Sequence, residues 1–160
     1  MTLRRATPGD ADAIAQIILP MIAAGETYAL DRHMTREAAL ACWMGSDRQT
    51  FVAEQGGEIL GTYYLRANQA GGGSHVCNCG YVTRASASGR GVARRMCEHS
   101  LVQAHEQGFR AMQFNFVVST NVRAVGLWHS LGFETVGRLP RAFAHPEQGL
   151  VDALVMYREV

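Results

Sequence analysis

The chain has 160 residues, 48% of them hydrophobic and 18% charged, with a formal net charge of +1. That length supports one domain over residues 1–160, with a core of its own, and is short for two. The near-neutral balance argues against bulk electrostatic binding to nucleic acid or an anionic membrane, no apolar run is long enough to span one, and Met1-Thr2-Leu3-Arg4-Arg5 lacks the apolar stretch of a secretion signal, so a cytoplasmic address is expected.

In chain order, residues 2–6 read as a short strand. Thr7-Pro8-Gly9-Asp10 reads as a helix start, with Thr7 as N-cap, Pro8 at the first helical position and an acid three residues after the cap. A helix is predicted to about residue 24, because Ile14, Ile17, Ile18, Met21 and Ile22 recur at the spacing that lines one helical face, and Gly25 ends it. Glu26-Thr27-Tyr28 leads through a polar stretch to Thr35, the N-cap of a short helix through Trp43 that Gly45-Ser46-Asp47 closes. Residues 50–54 and 58–66 are strands joined at Gln55-Gly56-Gly57, a hairpin signature. Asn68 to Ser74, rich in glycine, is expected to be a flexible loop before a strand over 75–83.

Gly89-Arg90-Gly91-Val92-Ala93 stands where that strand turns into a helical segment, whose Val92, Met96, Cys97, Ser100, Leu101 and Ala104 form one face and which Gly108 terminates. Such a turn presents unpaired backbone N–H groups and so cradles an anion, and the two glycines let the backbone approach a pyrophosphate closely. Met112 to Val118 is a buried strand and Asn121 to Ser130 a short helix closed at Leu131-Gly132-Phe133. Strands near 133–138 and 150–158 flank a loop holding Pro140, His145 and Pro146. This order gives an α/β (α+β) fold: a mixed central sheet of about seven strands with helices on both faces.

Cys42, Cys77, Cys79 and Cys97 follow no disulfide spacing, so reduced thiols are expected. His75, Cys77 and Cys79 alternate and would share one strand face, yet they need a fourth ligand from elsewhere; packed strand residues and no metal are expected.

Two motifs at a set separation now stand out. Ser88-Gly89-Arg90-Gly91-Val92-Ala93 resembles the acyl-CoA pyrophosphate loop of the GNAT superfamily of N-acetyltransferases, and Asn121-Val122-Arg123-Ala124, with Trp128 and then Gly132-Phe133, resembles its second signature. The resemblance covers nearly the whole chain. It implies acetyl-CoA as co-substrate, a splayed pair formed by strands 75–83 and 111–118, and pantetheine pairing along Gly80-Tyr81-Val82-Thr83, where a backbone N–H polarises the thioester carbonyl. It implies also that Asn121 bonds the pantetheine arm, that Ala124 leaves room for it and that Trp128 packs beside the thiol end; read from spacing alone, Asn121 caps its helix and Trp128 is core. Ser88 departs from the family's usual Arg or Gln, so a phosphate contact is lost or comes from Arg90 or Arg94. Trp128 stands where many members carry a tyrosine acid, and an indole N–H has no usable acidity, so a mechanism without a dedicated acid is expected.

A base or water chain must neutralise the amine, and Glu26, His75, His145 and Asp152 remain open candidates, none selected by spacing. Asn78 and Asn115 are amides inside otherwise apolar strands, where each needs a specific partner, either neighbouring backbone or an acceptor. The stretches around them, His75-Val76-Cys77-Asn78 and Phe114-Asn115-Phe116-Val117, resemble the proline-analogue N-acetyltransferases of fungi, which implies that both asparagines orient an amino acid. The acceptor is expected to enter past Glu26-Thr27-Tyr28 and the His145 loop, and His99, His105 and His129 to face solvent. The expected function is acetyl transfer to a small-molecule amine, an amino acid or analogue, by direct attack in a ternary complex; the alternative is a non-catalytic acyl-CoA sensor, and a metal-dependent hydrolase is remote. The resemblance also admits a homodimer paired through the last strands.

Overall fold

The computed structural model describes residues 1–160. Its centre is one seven-stranded sheet: β1 (Thr2–Arg5), β2 (Gln49–Gln55), β3 (Glu58–Ala67), β4 (Val76–Thr83), β5 (Ala111–Val118), β6 (Glu134–His145) and β7 (Gly149–Glu159), in the order β1-β2-β3-β4-β5-β7-β6. Only β4 and β5 run parallel. That parallel pair needs a crossover, and α3 (Val92–Glu106) supplies it.

The sheet is covered on both faces because its middle strands are apolar on both. In β2, Phe51 and Ala53 join the core cluster that contains Met96 and Trp128, while Val52 between them joins the cluster of α1 (Ala11–Ala24) and α2 (Arg36–Trp43). Ile14, Ile17, Ile18 and Ile22 of α1 are buried against that face; Met21 is half-buried and borders the cleft described below. The helix carries Pro20 in its interior. An interior proline costs about 3 kcal/mol or more, whereas burying four isoleucines yields about 1.5–3 kcal/mol each, so packing prevails over propensity. Upstream, Thr7 and Asp10 form a reciprocal capping box around a short 3-10 turn, and Arg4 donates two bonds to Asp10, at 2.8 and 2.9 Å.

The expected element order is observed, with corrections in local structure. The expected loop over 68–74 contains a 3-10 turn at residues 71–73. Residues 139–145, expected as loop, continue β6, and the turn lies at 146–148. Pro140 fits there because β6 is the edge strand and its register with β7 shifts between Leu139 and Phe143, so no ladder N–H is needed from it. His99 does not face solvent: it is half-buried, with Nδ1 2.6 Å from Tyr63 Oη, while His105 and His129 are exposed. No helix is long and apolar enough to cross a membrane.

Candidate active site

β4 and β5 pair only at Val76 with Ala111 and Cys77 with Met112; beyond that they part. Where the ladder ends, the Asn78 carboxamide takes over, its Nδ2 donating to the Gln113 carbonyl at 2.9 Å. In β5 the register with β7 advances three residues, Phe114 to Val117, while β7 advances two, so one extra residue bulges at Asn115-Phe116. A bulge re-aims side chains, and both Asn115 and Phe116 line the resulting cleft. The cleft has a volume of about 860 Å³, within the range of small-molecule sites.

Tyr28, from the connection between α1 and α2, reaches the open edge of β4. Its hydroxyl accepts from the Tyr81 N–H at 2.8 Å and lies 3.2 Å from the Tyr81 carbonyl, to which it donates. A side chain at Gly80 would stand 2.7 Å from the Tyr64 ring and 2.9 Å from Tyr28 Oη, so glycine is what admits both tyrosines onto the strand. Burial pushes the Tyr28 and Tyr81 phenols well above their ordinary pKa, which keeps both protonated. Tyr81 points its own hydroxyl away to Ser100 Oγ, 2.7 Å distant.

At the wide end, Gly89 and Gly91 adopt φ of 78° and 77°, a left-handed backbone that turns the chain into α3. Gly91 is the N-cap and offers no side chain to the helix's first N–H groups. The first turn contains no acid but holds Arg94 and Arg95, cations where the helix dipole disfavours them. Such an end suits an anion. Arg94 donates to Ser130 Oγ at 2.8 Å, tying α3 to α4 (Val122–Ser130), and Arg123 of α4 brings Nη2 to 3.9 Å from the position of a Cβ on Gly89.

Of the residues singled out in the sequence, Thr27, Tyr28, Asn78, Tyr81, Val82, Thr83, Ser88, Gly89, Gly91, Val92, Ala93, Arg94, Asn115, Asn121, Ala124 and Trp128 border the cleft. Asn121 Oδ1 accepts from the Ala124 N–H at 3.4 Å, so it caps α4, while its amide nitrogen is left for another partner. Trp128 is both core and lining: 8% exposed, its ring centroid is 5.1 Å from those of Tyr81 and Phe114. Asn115 sits in a polar chain, accepting from Gln113 Nε2 at 2.8 Å and donating to Asn68 Oδ1 at 2.7 Å.

Five residues expected at the site, Arg90, Glu26, His75, His145 and Asp152, lie off the cleft. Arg90 is exposed on the turn, its N–H bonded to the Ala87 carbonyl at 3.3 Å. Glu26 is exposed just beyond the end of α1. His145 is buried in the hairpin between β6 and β7, where its Nδ1 accepts from the N–H groups of Glu147 and Gln148. Asp152 is taken by Arg138 at 2.6 Å and by the Arg141 N–H at 2.9 Å, stitching the β6 bulge, and these bonds hold its carboxyl below the usual range. His75 is exposed before β4, whereas Cys77 and Cys79 are packed in the core, so the three do not converge on a metal. The charged side chains of the lining are Arg66, Arg94 and Arg123; no acid, lysine or histidine borders the cleft. Neither Arg66 nor Arg123 was anticipated. A cation in the first turn of α4, against the helix dipole, was the available signal for Arg123.

A cleft between two parting parallel strands, with an uncapped helix N-terminus at its wide end, defines the class as an acetyl-CoA-dependent N-acetyltransferase. The chain belongs to the acetyltransferase (GNAT) family, whose model matches residues 18–133. Among solved structures it is similar to a GCN5-related N-acetyltransferase from Kribbella flavida, with 42% identity, a TM-score of 0.95 and coverage of 99% of this chain and 97% of that one. It resembles the N-acetyltransferase aca1 of Schizosaccharomyces pombe at 28% identity over 148 residues, which covers 82% of this chain and 71% of that protein. A phosphinothricin acetyltransferase from Sinorhizobium meliloti, solved in complex with AcCoA, shares the fold at a TM-score of 0.86 and 21% identity, over 99% of this chain and 88% of that one.

Proposed function

We propose that this protein transfers the acetyl group of acetyl-CoA to the amine of a small molecule, an amino acid or analogue, by direct attack in a ternary complex. One observation carries the reading: the cleft runs without interruption from the anion-ready turn at Gly89–Ala93 to a polar end at Tyr64, Arg66, Asn78 and Asn115, leaving room for a second reactant beyond the first. A binding-only sensor has no need of that end.

In this reading the N–H groups of Gly89, Gly91, Val92 and Ala93 hold the diphosphate, and Arg94 and Arg123 supply counter-charge. The open edge of β4 at Tyr81–Thr83 bonds the amides of the pantetheine arm, helped by Asn121 Nδ2 over Ala124, while Trp128 packs beside its sulfur end. Acetyl-CoA contributes an acyl group on a thiol whose pKa of about 8.5 makes it a tolerable leaving group without an acid. The Tyr81 N–H, now shared with Tyr28, is the donor for the developing oxyanion, worth about 3 kcal/mol. Thr27, Tyr28, Asn78 and Asn115 border the acceptor. Since every charged group of the lining is an arginine, an ammonium entering the cleft has its pKa lowered, and its proton leaves through water.

Thiol release from acetyl-CoA over a panel of amino acids and amines tests the proposal, beside calorimetric titration of acetyl-CoA. Turnover of one acceptor class is expected, and Asn115→Ala lowers it at least tenfold. Tight binding without release for any amine would favour the sensor.

A further inference from the structure

Arg66 is the cation at the acceptor end of the cleft, and its hydrogen-bonding capacity is largely unspent. It sits on β3 directly opposite Asn78 in the ladder, so the two side chains share a face, and both border the cleft. Its Nε is buried without a partner, and Nη1 reaches Asp47 only at 3.4 Å. That carboxylate is already committed: Arg48 holds it in a bidentate pair at 2.8 and 2.9 Å. One acid between two guanidiniums leaves one positive charge in surplus. An arginine fork with an unpaired, buried N–H costs stability unless something bonds it, and the group it fits best is a planar carboxylate.

We infer that Arg66 is the acceptor's carboxylate anchor, so that the acceptor is an α-amino or imino acid carrying a free carboxylate rather than a simple amine. The inference rests on the function proposed above and sharpens its substrate class. Arg66 lies three ladder positions from Tyr81, about 10 Å along the strand, which keeps the anchor at the acceptor end, far from Arg94 and Arg123 at the diphosphate end. The two cationic ends would then select different anions.

The test compares amino acids with their α-carboxamides as acceptors, each rate divided by its neutral-amine fraction. Wild type should favour the acid on the order of 10- to 100-fold in kcat/KM, Arg66→Gln should collapse that ratio toward one, and Arg66→Lys should recover part of it. A merely structural Arg66, steadying Asp47, would lower both members of each pair and leave the ratio standing. Equal use of acid and amide by wild type, or an unchanged ratio in R66Q, overturns the assignment while leaving the acetyltransferase reading intact. Should no amine be turned over, that reading fails instead, and the anchor is judged by thermal shift with N-acetyl amino acids against their amides. Stabilisation by the acid alone, lost in R66Q, supports it, and equal shifts sink it. Acetyl-CoA affinity, read at the opposite end, reports whether the variants fold.

Discussion

Arg123→Ala is the sharpest probe of how the wide end of the cleft binds its ligand. Arg123 Nη2 lies 3.9 Å from where a Cβ on Gly89 would be, which sets its guanidinium beside the turn, and a separation of about 4 Å from a bound anion is assumed. Two unit charges at that separation attract by about 4 kcal/mol at an effective dielectric of 20 and about 1 kcal/mol in water. Arg123 is exposed, which favours the lower figure. Its loss should therefore cost about 1–2 kcal/mol, a rise of roughly 5- to 30-fold in KM for acetyl-CoA with kcat nearly unchanged, because the contact is the same in ground and transition states. The assay sets acetyl-CoA against S-acetylpantetheine, which has no phosphates, and should show the effect for the first substrate alone and shrinking as salt rises. If acetylpantetheine suffers equally, Arg123 acts on the fold of the cleft; if acetyl-CoA is untouched, the diphosphate lies elsewhere.

Three further outcomes are expected. Gly91→Ala adds a Cβ that meets no atom within 4 Å, so its cost is backbone alone: φ of 77° is left-handed, and urea unfolding should show a loss of about 1–2 kcal/mol. Asp10 is held well below its ordinary pKa, chiefly by hydrogen bonds from Arg4. It thus contributes stability that is fully present above about pH 4 and lost as pH falls further. Asp10→Asn should cost about 2 kcal/mol at pH 7 and flatten the acid limb of stability, with Asp47, lowered to about 2 beside Arg48, keeping a residual slope. Because no acid, lysine or histidine borders the cleft, the rising limb of kcat/KM with pH should follow the acceptor amine's own pKa, shifting when the acceptor is changed. Glu26→Gln and Asp152→Asn should not move that limb; a limb fixed across acceptors, or abolished by either variant, would identify a protein base.

The acceptor side shows how a sequence reading reaches its limit. Glu26 was expected at the acceptor entrance because it follows the first helix, and His145 because it was read as part of a loop, yet Glu26 lies just past the end of α1 and points to solvent, and His145 spends its ring on the turn of a hairpin that runs farther than Pro140 suggested. Asn78 and Asn115 were legible as amides inside apolar strands, and both border the cleft. Their partners, the Gln113 carbonyl and Asn68, come from other strands and could not be read locally. Arg66 looks like any polar residue near a strand end until the ladder sets it opposite Asn78.

The sequence by itself determined what depends on neighbours along the chain. Helix caps, the hairpin glycines and the period of the apolar faces act over a few residues, and the anion turn is built from consecutive N–H groups, so its chemistry is written in one stretch. Tertiary structure alone decided which charges meet across strands. A single extra residue in β5, one hydroxyl from the α1–α2 connection and the register between β3 and β4 assemble the polar end of the cleft, and pairing register is fixed by the packing of the whole sheet rather than by any segment within it.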